Sequence, residues 1–413
     1  MQTLCKGPVH NPPKKKLILL CRSPLHPADM KLALLLFFTS LLGCGAQVDV
    51  AAAGGDQPPT KNGDTAVTVS PWPMLGQGPA HAARSLSAVT TAGPHRSWEL
   101  SLGEVLRGSC VIAADGTIYA ATQHALHAIS PAGTEKWTAP IQLPGEEPPS
   151  PALGPDGAVY VKSGKALVAF DPGGAPLWHV DFPEGVLSSP TVTADGTIHV
   201  ARGDGGLAVL SPTGSVQTTV GAEPNVRHST PAIAPDGTMT FMRVDTYVTE
   251  VWAFGPAGAP GFDVKKVGSV YGYQAYPVSG ADGTTYVATD EALAALDSMG
   301  DVVWSHPSSS NNMGPAVAAD GTLYPSWGYP LTALHPDGTV AWSYDGGPGA
   351  YGASVAIAAD GTIYSAGDRL YRVSPAGALL GVVDVGSPIA SRLAIDADGT
   401  ALFGAEDGKL YAR

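Results

Sequence analysis

Ala194-Asp195-Gly196-Thr197-Ile198-His199-Val200, followed by Gly206-Leu207-Ala208-Val209-Leu210 and then Ser211-Pro212-Thr213-Gly214, decides the architecture. The stretch reads as strand, tight turn, strand, turn, strand. Asp-Gly between β-rich runs is the strongest short hairpin signal, because Gly takes the positive φ that the turn demands and Asp tolerates it. The same grammar recurs along the chain, with Asp-Gly turns beginning at Asp115, Asp156, Asp195, Asp236, Asp282, Asp320, Asp360 and Asp398. Successive intervals are 41, 39, 41, 46, 38, 40 and 38 residues, the size of one four-stranded propeller blade. The aspartates are turn formers in this reading. Their loops lack the dense carboxylate spacing of a calcium loop.

Counting from each turn aspartate fixes further positions. Five residues before it stand Pro151, Pro190, Pro231, Pro277 and Pro315, with Cys110, Val355 and Leu393 in the other repeats. Proline at a strand start loses no ladder bond. Four residues after it stand Tyr119, Tyr160, Tyr286, Tyr324 and Tyr364, and twenty-two after it stand Trp137, Trp178, Trp304 and Trp342. Rings at such regular intervals are expected to pack between blades.

The ends of the chain predict how the ring closes. The third-strand turn, seen as Ser130-Pro131-Ala132-Gly133 and Ser374-Pro375-Ala376-Gly377, occurs once less often than the Asp-Gly turn, and the missing copy is the last. Trp98 in Ser97-Trp98-Glu99-Leu100 lies 39 residues before Trp137, one period upstream. It therefore belongs to the fourth strand of the last blade, so that the N- and C-terminal strands meet in one sheet and leave no open gap in the ring. The fold expected is all-β, an eight-bladed β-propeller closed by its terminal strands, with seven blades as the alternative because the Asp398 repeat is short.

Ahead of the repeats, Met30-Lys31 opens a mostly apolar run from Leu32 to Leu42. It is too short to span a bilayer comfortably and suits a signal-peptide core. The run ends in Leu41-Leu42-Gly43-Cys44, which resembles a bacterial lipobox and would place lipid on Cys44. The expected division is a mispredicted extension at 1–29, a lipoprotein signal peptide at 30–43, a lipidated flexible tether at 44–70 and the propeller at 71–413. Gly, Ala, Asp, Pro and Thr dominate the tether and leave it little to bury. Gly45 after the lipidated cysteine resembles the sorting signal for the outer membrane.

Cysteine and charge bound the function. With Cys5 and Cys21 upstream of Met30 and Cys44 lipidated, Cys110 stands alone and forms no bridge within the chain. It is expected to be a small buried strand residue. The whole chain carries −13, and residues 1 to 43 hold six Lys or Arg against one Asp, leaving seventeen basic and thirty-five acidic residues downstream. Nucleic acid is not the expected partner.

Ser189-Pro190-Thr191-Val192 with the stretch that follows resembles the repeat of the pyrroloquinoline-quinone-like (quinoprotein alcohol dehydrogenase-like) propellers. So does Trp72-Pro73-Met74-Leu75-Gly76-Gln77-Gly78-Pro79-Ala80-His81, which is similar to a segment that often precedes the first blade in soluble members. The resemblance covers roughly Trp72 to Arg413 and implies the fold. For activity it implies less, since the superfamily holds both quinone-dependent dehydrogenases and proteins that bind no quinone. The dehydrogenases hold quinone and calcium with a vicinal disulfide, and this chain has no adjacent cysteines. It also has no Cys-x-x-Cys-His, no Gly-x-Ser-x-Gly and no His-Glu-x-x-His. His124 and His127 are read as solvated turn histidines. No cofactor, metal site or catalytic residue is expected.

The binding surface is expected in the loops of one face and at the mouth of the central channel. The irregular interval from Asp236 to Asp282 holds Tyr247, Trp252, Phe254, Phe262, Tyr271, Tyr273 and Tyr276, and Trp327-Gly328-Tyr329 forms a second aromatic loop. Eight residues before the turn aspartates stand Arg107, His228, Gln274 and Asn312, a set that would gather at the channel mouth. The function expected is a non-enzymatic binding or scaffold lipoprotein of the bacterial envelope, similar in overall plan to the propeller lipoproteins of outer-membrane barrel assembly. Its partners would be an envelope protein or glycan, with the membrane reached through the lipid anchor, and its location the outer membrane, facing the periplasm or the surface. The alternatives are a carbohydrate or small-ligand receptor and a divergent quinone-dependent oxidoreductase.

Overall fold

Each repeat folds into one antiparallel sheet in a computed structural model of the chain, and eight such sheets form an eight-bladed β-propeller. The structure describes residues 72–78, 80–85, 96–143, 150–220, 227–245, 248–255, 265–268, 276–289, 291–307, 313–326, 330–345 and 354–413. By internal contacts the chain divides into Met1–Thr65 and Ala66–Arg413, and the second unit holds all the blades. The expected signal peptide, lipidation site and the whole of the tether lie outside the described residues.

Blade 1 shows the common plan. Val111–Ile112 is innermost, followed outward by Ile118–Ala121, Ala125–Ile129 and Glu135–Pro140. The second and third strands are sandwiched between neighbouring blades, which is why they read as continuous apolar runs with small residues rather than as an alternation. The outer strand is exposed at alternate positions. Blades 2 (152–181), 3 (191–220), 5 (278–307), 6 (313–344) and 7 (354–383) repeat this order. In blade 6 the proline, Pro315, falls inside the inner strand Met313–Val317, where the pairing register shifts and the missing donor is tolerated.

The Asp-Gly turns do what their chemistry predicts. In blade 3 the Gly196 N–H bonds to the Thr193 carbonyl at 2.8 Å, Gly196 sits at φ 83°, and Asp195 Oδ1 accepts the Thr197 N–H at 3.1 Å. The Thr193 hydroxyl and that same amide hold the Asp195 carboxyl below its usual range.

Ring closure is as the sequence predicts. Trp98–Ser101 pairs antiparallel with Lys409–Ala412 as the outer strand of blade 8, with Trp98 opposite Ala412. Arg96 secures the joint through ion pairs to Asp396 and Asp398. The regular tryptophans clasp neighbouring blades. The indole N–H of Trp98, Trp137, Trp178, Trp304 and Trp342 donates to the carbonyl of Pro131, Pro172, Pro212, Pro336 and Pro375, respectively, at 2.8 to 3.1 Å. Each ring lies on the glycine of the same turn, so close that a Cβ there would fall 2.5 to 2.8 Å from ring carbons. Within each blade, Tyr119, Tyr160, Tyr286 and Tyr324 lie against the tryptophan of their own outer strand.

Blade 4 carries the irregular interval. Its middle strands, Met239–Asp245 and Val248–Phe254, are each seven residues long. Both Arg227–His228 and Ala232–Ile233 pair with the first of them. The additional length is spent partly on this long hairpin.

Candidate functional site

Propeller ligands are expected on the axis, and here the chain itself fills one mouth of the channel. Residues 72–78 and 80–85 cross it. Trp72 exchanges two backbone hydrogen bonds with Ile112 of blade 1, and the Pro73 carbonyl accepts from Leu153 of blade 2. On the other side the carbonyls of Ala80, Ala82 and Ala83 accept from Ser279, Val317 and Ile357 of blades 5, 6 and 7. All five partner residues stand just ahead of an Asp-Gly turn, so the crossing seals the mouth on the face of those turns.

Side chains secure the crossing. Trp72 and Ala83 join the core shared by blades 6, 7, 8 and 1, Met74 joins that of blades 2 and 3, and Leu75 joins that of blades 5 and 6. Gln77, His81 and Ala83 take positive φ (75°, 59° and 49°), a conformation that non-glycine residues hold only when their surroundings impose it. Gly76 cannot be larger, because a Cβ would lie 2.7 Å from the His81 Cα.

The centre of the channel is aromatic and polar. His81 is fully buried and meets the Tyr276 ring edge-on at 5.2 Å, while the Arg392 guanidinium lies 4.5 Å from the centre of the same ring. Tyr276 stands at the start of blade 5 and Arg392 at the start of blade 8, so this stack joins two sides of the ring. Burial pushes the His81 pKa down to about 3, with the Pro277 carbonyl opposing and Arg392 adding to the fall. The imidazole is therefore neutral. Cys110 is buried, as expected, and burial pushes its thiol up to about 12, which leaves it unreactive.

Tyr276 and Arg392 share a register position six residues before the turn aspartate. Sequence reading passed over it. The other occupants are Ser109, Ser150, Ser189, Thr230, Gly314 and Ser354. There the Ser109 N–H donates to Ser150 Oγ and the Ser150 N–H to Ser189 Oγ, both at 2.8 Å, linking blades 1, 2 and 3 along the channel wall. Leu393 N–H to Ser354 Oγ ties blade 8 to blade 7. Gly314 is small because Tyr276 and Val278 lie against it. The signal was available, one residue ahead of the proline column.

The face opposite the crossing holds loops pinned by ion pairs. Glu104 accepts from His124 Nδ1 at 2.6 Å, Arg107 pairs with both oxygens of Glu406, Glu184 pairs with Arg202, and Arg369 pairs with Asp384. In each pair the loop between two blades is held to a hairpin beside it. His124 is thus an exposed turn residue, as expected. His127 corrects the reading: it is buried in the third strand of blade 1, between Thr122 and Glu135, because the strand begins at Ala125.

Among the expected binding residues, Arg107 sits in this ring of ion pairs. Trp252 lies in the third strand of blade 4, with ring centres 6.3 and 6.4 Å from those of Phe241 and Phe254. His228 occupies a strand position opposite Arg243. Tyr247, Tyr271, Tyr273, Gln274, Asn312, Trp327, Tyr329 and Cys44 lie outside the described residues. Among the described residues no group of three or more His, Cys, Asp or Glu is placed to hold a metal ion.

Residues 122–242 and 245–392 match the model of the family described as outer membrane protein assembly factor BamB. No curated protein gives a sequence match. Among solved structures, BamB from Moraxella catarrhalis superposes with a TM-score of 0.60 at 16% identity, covering 78% of this chain and 97% of that one. Quinohemoprotein alcohol dehydrogenase ADHIIG from Pseudomonas putida HK5 superposes with a TM-score of 0.63 at 11% identity, covering 82% of this chain and 76% of that one. The Dos1 propeller gives a TM-score of 0.57 at 10% identity, covering 79% and 95%. At these identities the structural matches establish the shared fold.

Proposed function

The chain belongs to the family of the outer membrane protein assembly factor BamB, and from that premise we propose that it is a non-enzymatic scaffold that holds protein partners in the bacterial envelope. The observation that carries the reading is the family match, which extends over more than half of the chain. The channel supports it. With one mouth sealed by the chain and the axis occupied by His81, Tyr276 and Arg392, binding falls to the opposite face and the outer rim. In this proposal Cys44 carries the lipid, residues 45–70 form the tether, and the propeller faces the periplasm at the outer membrane.

The test is capture from solubilised envelope with the full chain tagged at its C-terminus, beside a Cys44→Ala variant. Specific envelope proteins are expected with the wild type. The variant is expected in the soluble fraction. A parallel melt with pyrroloquinoline quinone and calcium is expected to leave the melting temperature unchanged. A clear quinone-dependent rise, or the absence of any specific partner, overturns the scaffold reading.

A further inference from the structure

The outer edges of the blades are not alike. Among the described residues nine large apolar side chains are exposed, and seven of them, Met299, Val302, Val303, Val340, Leu379, Leu380 and Val382, belong to blades 5, 6 and 7. Six of them lie at or just after the turn that leads into the outer strand, and Val382 lies further along that strand. The corresponding positions of blade 1 are Glu135 and Lys136, and Lys136 reaches back to the Thr117 hydroxyl at 2.9 Å. In blade 8 Glu99 pairs with Lys409. Charged side chains thus guard the edges of blades 1 and 8, in the way that natural sheets block edge pairing.

The three apolar edges are neighbours on one rigid surface. Trp304 of blade 5 lies on Gly338, which immediately precedes Thr339-Val340, and Trp342 of blade 6 lies on Gly377, which immediately precedes Ala378-Leu379. Both seams are therefore clasped where the apolar residues stand. The outer strands Val302–Pro307, Val340–Tyr344 and Leu379–Val383 each pair on their inner side only, among the described residues. Such an edge offers a row of backbone donors and acceptors to an added strand.

Charge selects the occupant. From residue 267 to residue 383 the chain has ten Asp or Glu against two basic residues, Arg369 and Arg372 of blade 7. Asp301 stands beside Val302 and Asp337 in the turn before Val340, while Asp384, two residues after Val382, is paired with Arg369. A second copy would bring the same acidic rim against this one, and an anionic membrane surface would repel it. We propose that the outer rim of blades 5 to 7 is a docking edge for an extended segment of a partner protein that carries Lys or Arg beside apolar side chains and adds as a fifth strand. This deepens the scaffold reading and rests on it for the partner being a protein.

The test uses the full chain and a fluorescein-labelled peptide of alternating Lys and Val, with two controls, a Glu/Val peptide and a Lys/Val peptide with Pro at alternate positions. The Lys/Val peptide is expected to bind, more weakly as salt rises, and to lose at least tenfold in affinity to the Val303→Lys/Leu380→Lys variant. Val216→Lys, on the rim of blade 3, is expected to bind as the wild type does. Both substituted sites are exposed, and an unchanged melting temperature checks the fold; if the double variant melts early, Val340→Lys replaces it. Equal binding by all variants, or equal binding of the proline peptide, overturns the proposal. So does sedimentation as a dimer that the double variant converts to monomer, or rim-dependent binding to phosphatidylglycerol vesicles. An envelope partner captured equally by wild type and double variant refutes the rim and leaves the scaffold reading standing. Peptide binding to the rim with no envelope partner captured supports the rim and refutes the scaffold reading.

Discussion

His81 shows how far a single side chain can be committed to structure. Its folded pKa of about 3, depressed first by burial, lies below its ordinary value of 6.5, so between those values the unfolded chain binds more protons. Stability contributed by the neutral ring is complete above pH 6.5 and is lost as pH falls toward 3, at about 1.4 kcal/mol per pH unit for one group. His199, buried in blade 3 with a pKa lowered to about 4, adds a second loss of the same sign. Asparagine tolerates the positive φ at position 81. The His81→Asn variant is therefore expected to keep only the His199 share of this dependence, reducing the slope of urea stability between pH 6 and 4.5 by about half. An unchanged slope would show that His81 does not titrate on unfolding. Gly174 makes the complementary point. It sits at φ 90°, and a Cβ would lie 2.7 Å from Trp137, so Gly174→Ala is expected to destabilise by roughly 3 kcal/mol, read from denaturant melts.

At the scale of the element, the clasp between blades is a tryptophan, a proline carbonyl and a glycine without a side chain. Trp137→Phe keeps most of the apolar contact and removes the 3.0 Å bond to the Pro172 carbonyl. It is expected to cost about 1 kcal/mol, whereas Trp137→Ala should cost about 3 or more because the ring volume is lost as well. Equal losses would mean that the hydrogen bond is the whole clasp. The clasps are not distributed evenly. At the tryptophan position, four residues after the glycine of the third-strand turn, blade 3 has Thr218 and blade 7 has Gly381. The seam between blades 7 and 8 uses another device, the Tyr364 hydroxyl donating to the Gly399 carbonyl at 3.0 Å. Amide exchange is expected to be faster in the outer strand of blade 3 than in that of blade 2, which keeps Trp178. Equal protection would show that the clasp does not limit opening at the outer edge.

Over the whole molecule, closure and crossing turn eight weakly connected sheets into one ring. Each blade touches only its neighbours, so an open array frays from its ends; pairing Trp98–Ser101 with Lys409–Ala412 removes the ends, and residues 72–78 and 80–85 link opposite sides of the ring. Trp72→Ala empties a buried site next to blade 1 and is expected to cost 3 to 5 kcal/mol and to lower the melting temperature of the ring as a single transition. A separate early transition would instead show that the crossing opens alone. The sequence by itself determined the turn chemistry, the tryptophan seams and the closing strand, because each is a local pattern repeated at a fixed spacing, whereas the short Asp398 repeat left eight blades against seven for the structure to decide. His127 escaped that reading, since burial in the third strand depends on the neighbouring blade and not on its turn. Only the tertiary structure decided that Trp72–His81 crosses the channel, that Tyr276 meets Arg392 across the ring, and that the apolar edges of blades 5 to 7 lie side by side. The reason is physical: those contacts join residues far apart in the chain that the closure of the ring brings together, and no periodicity records them.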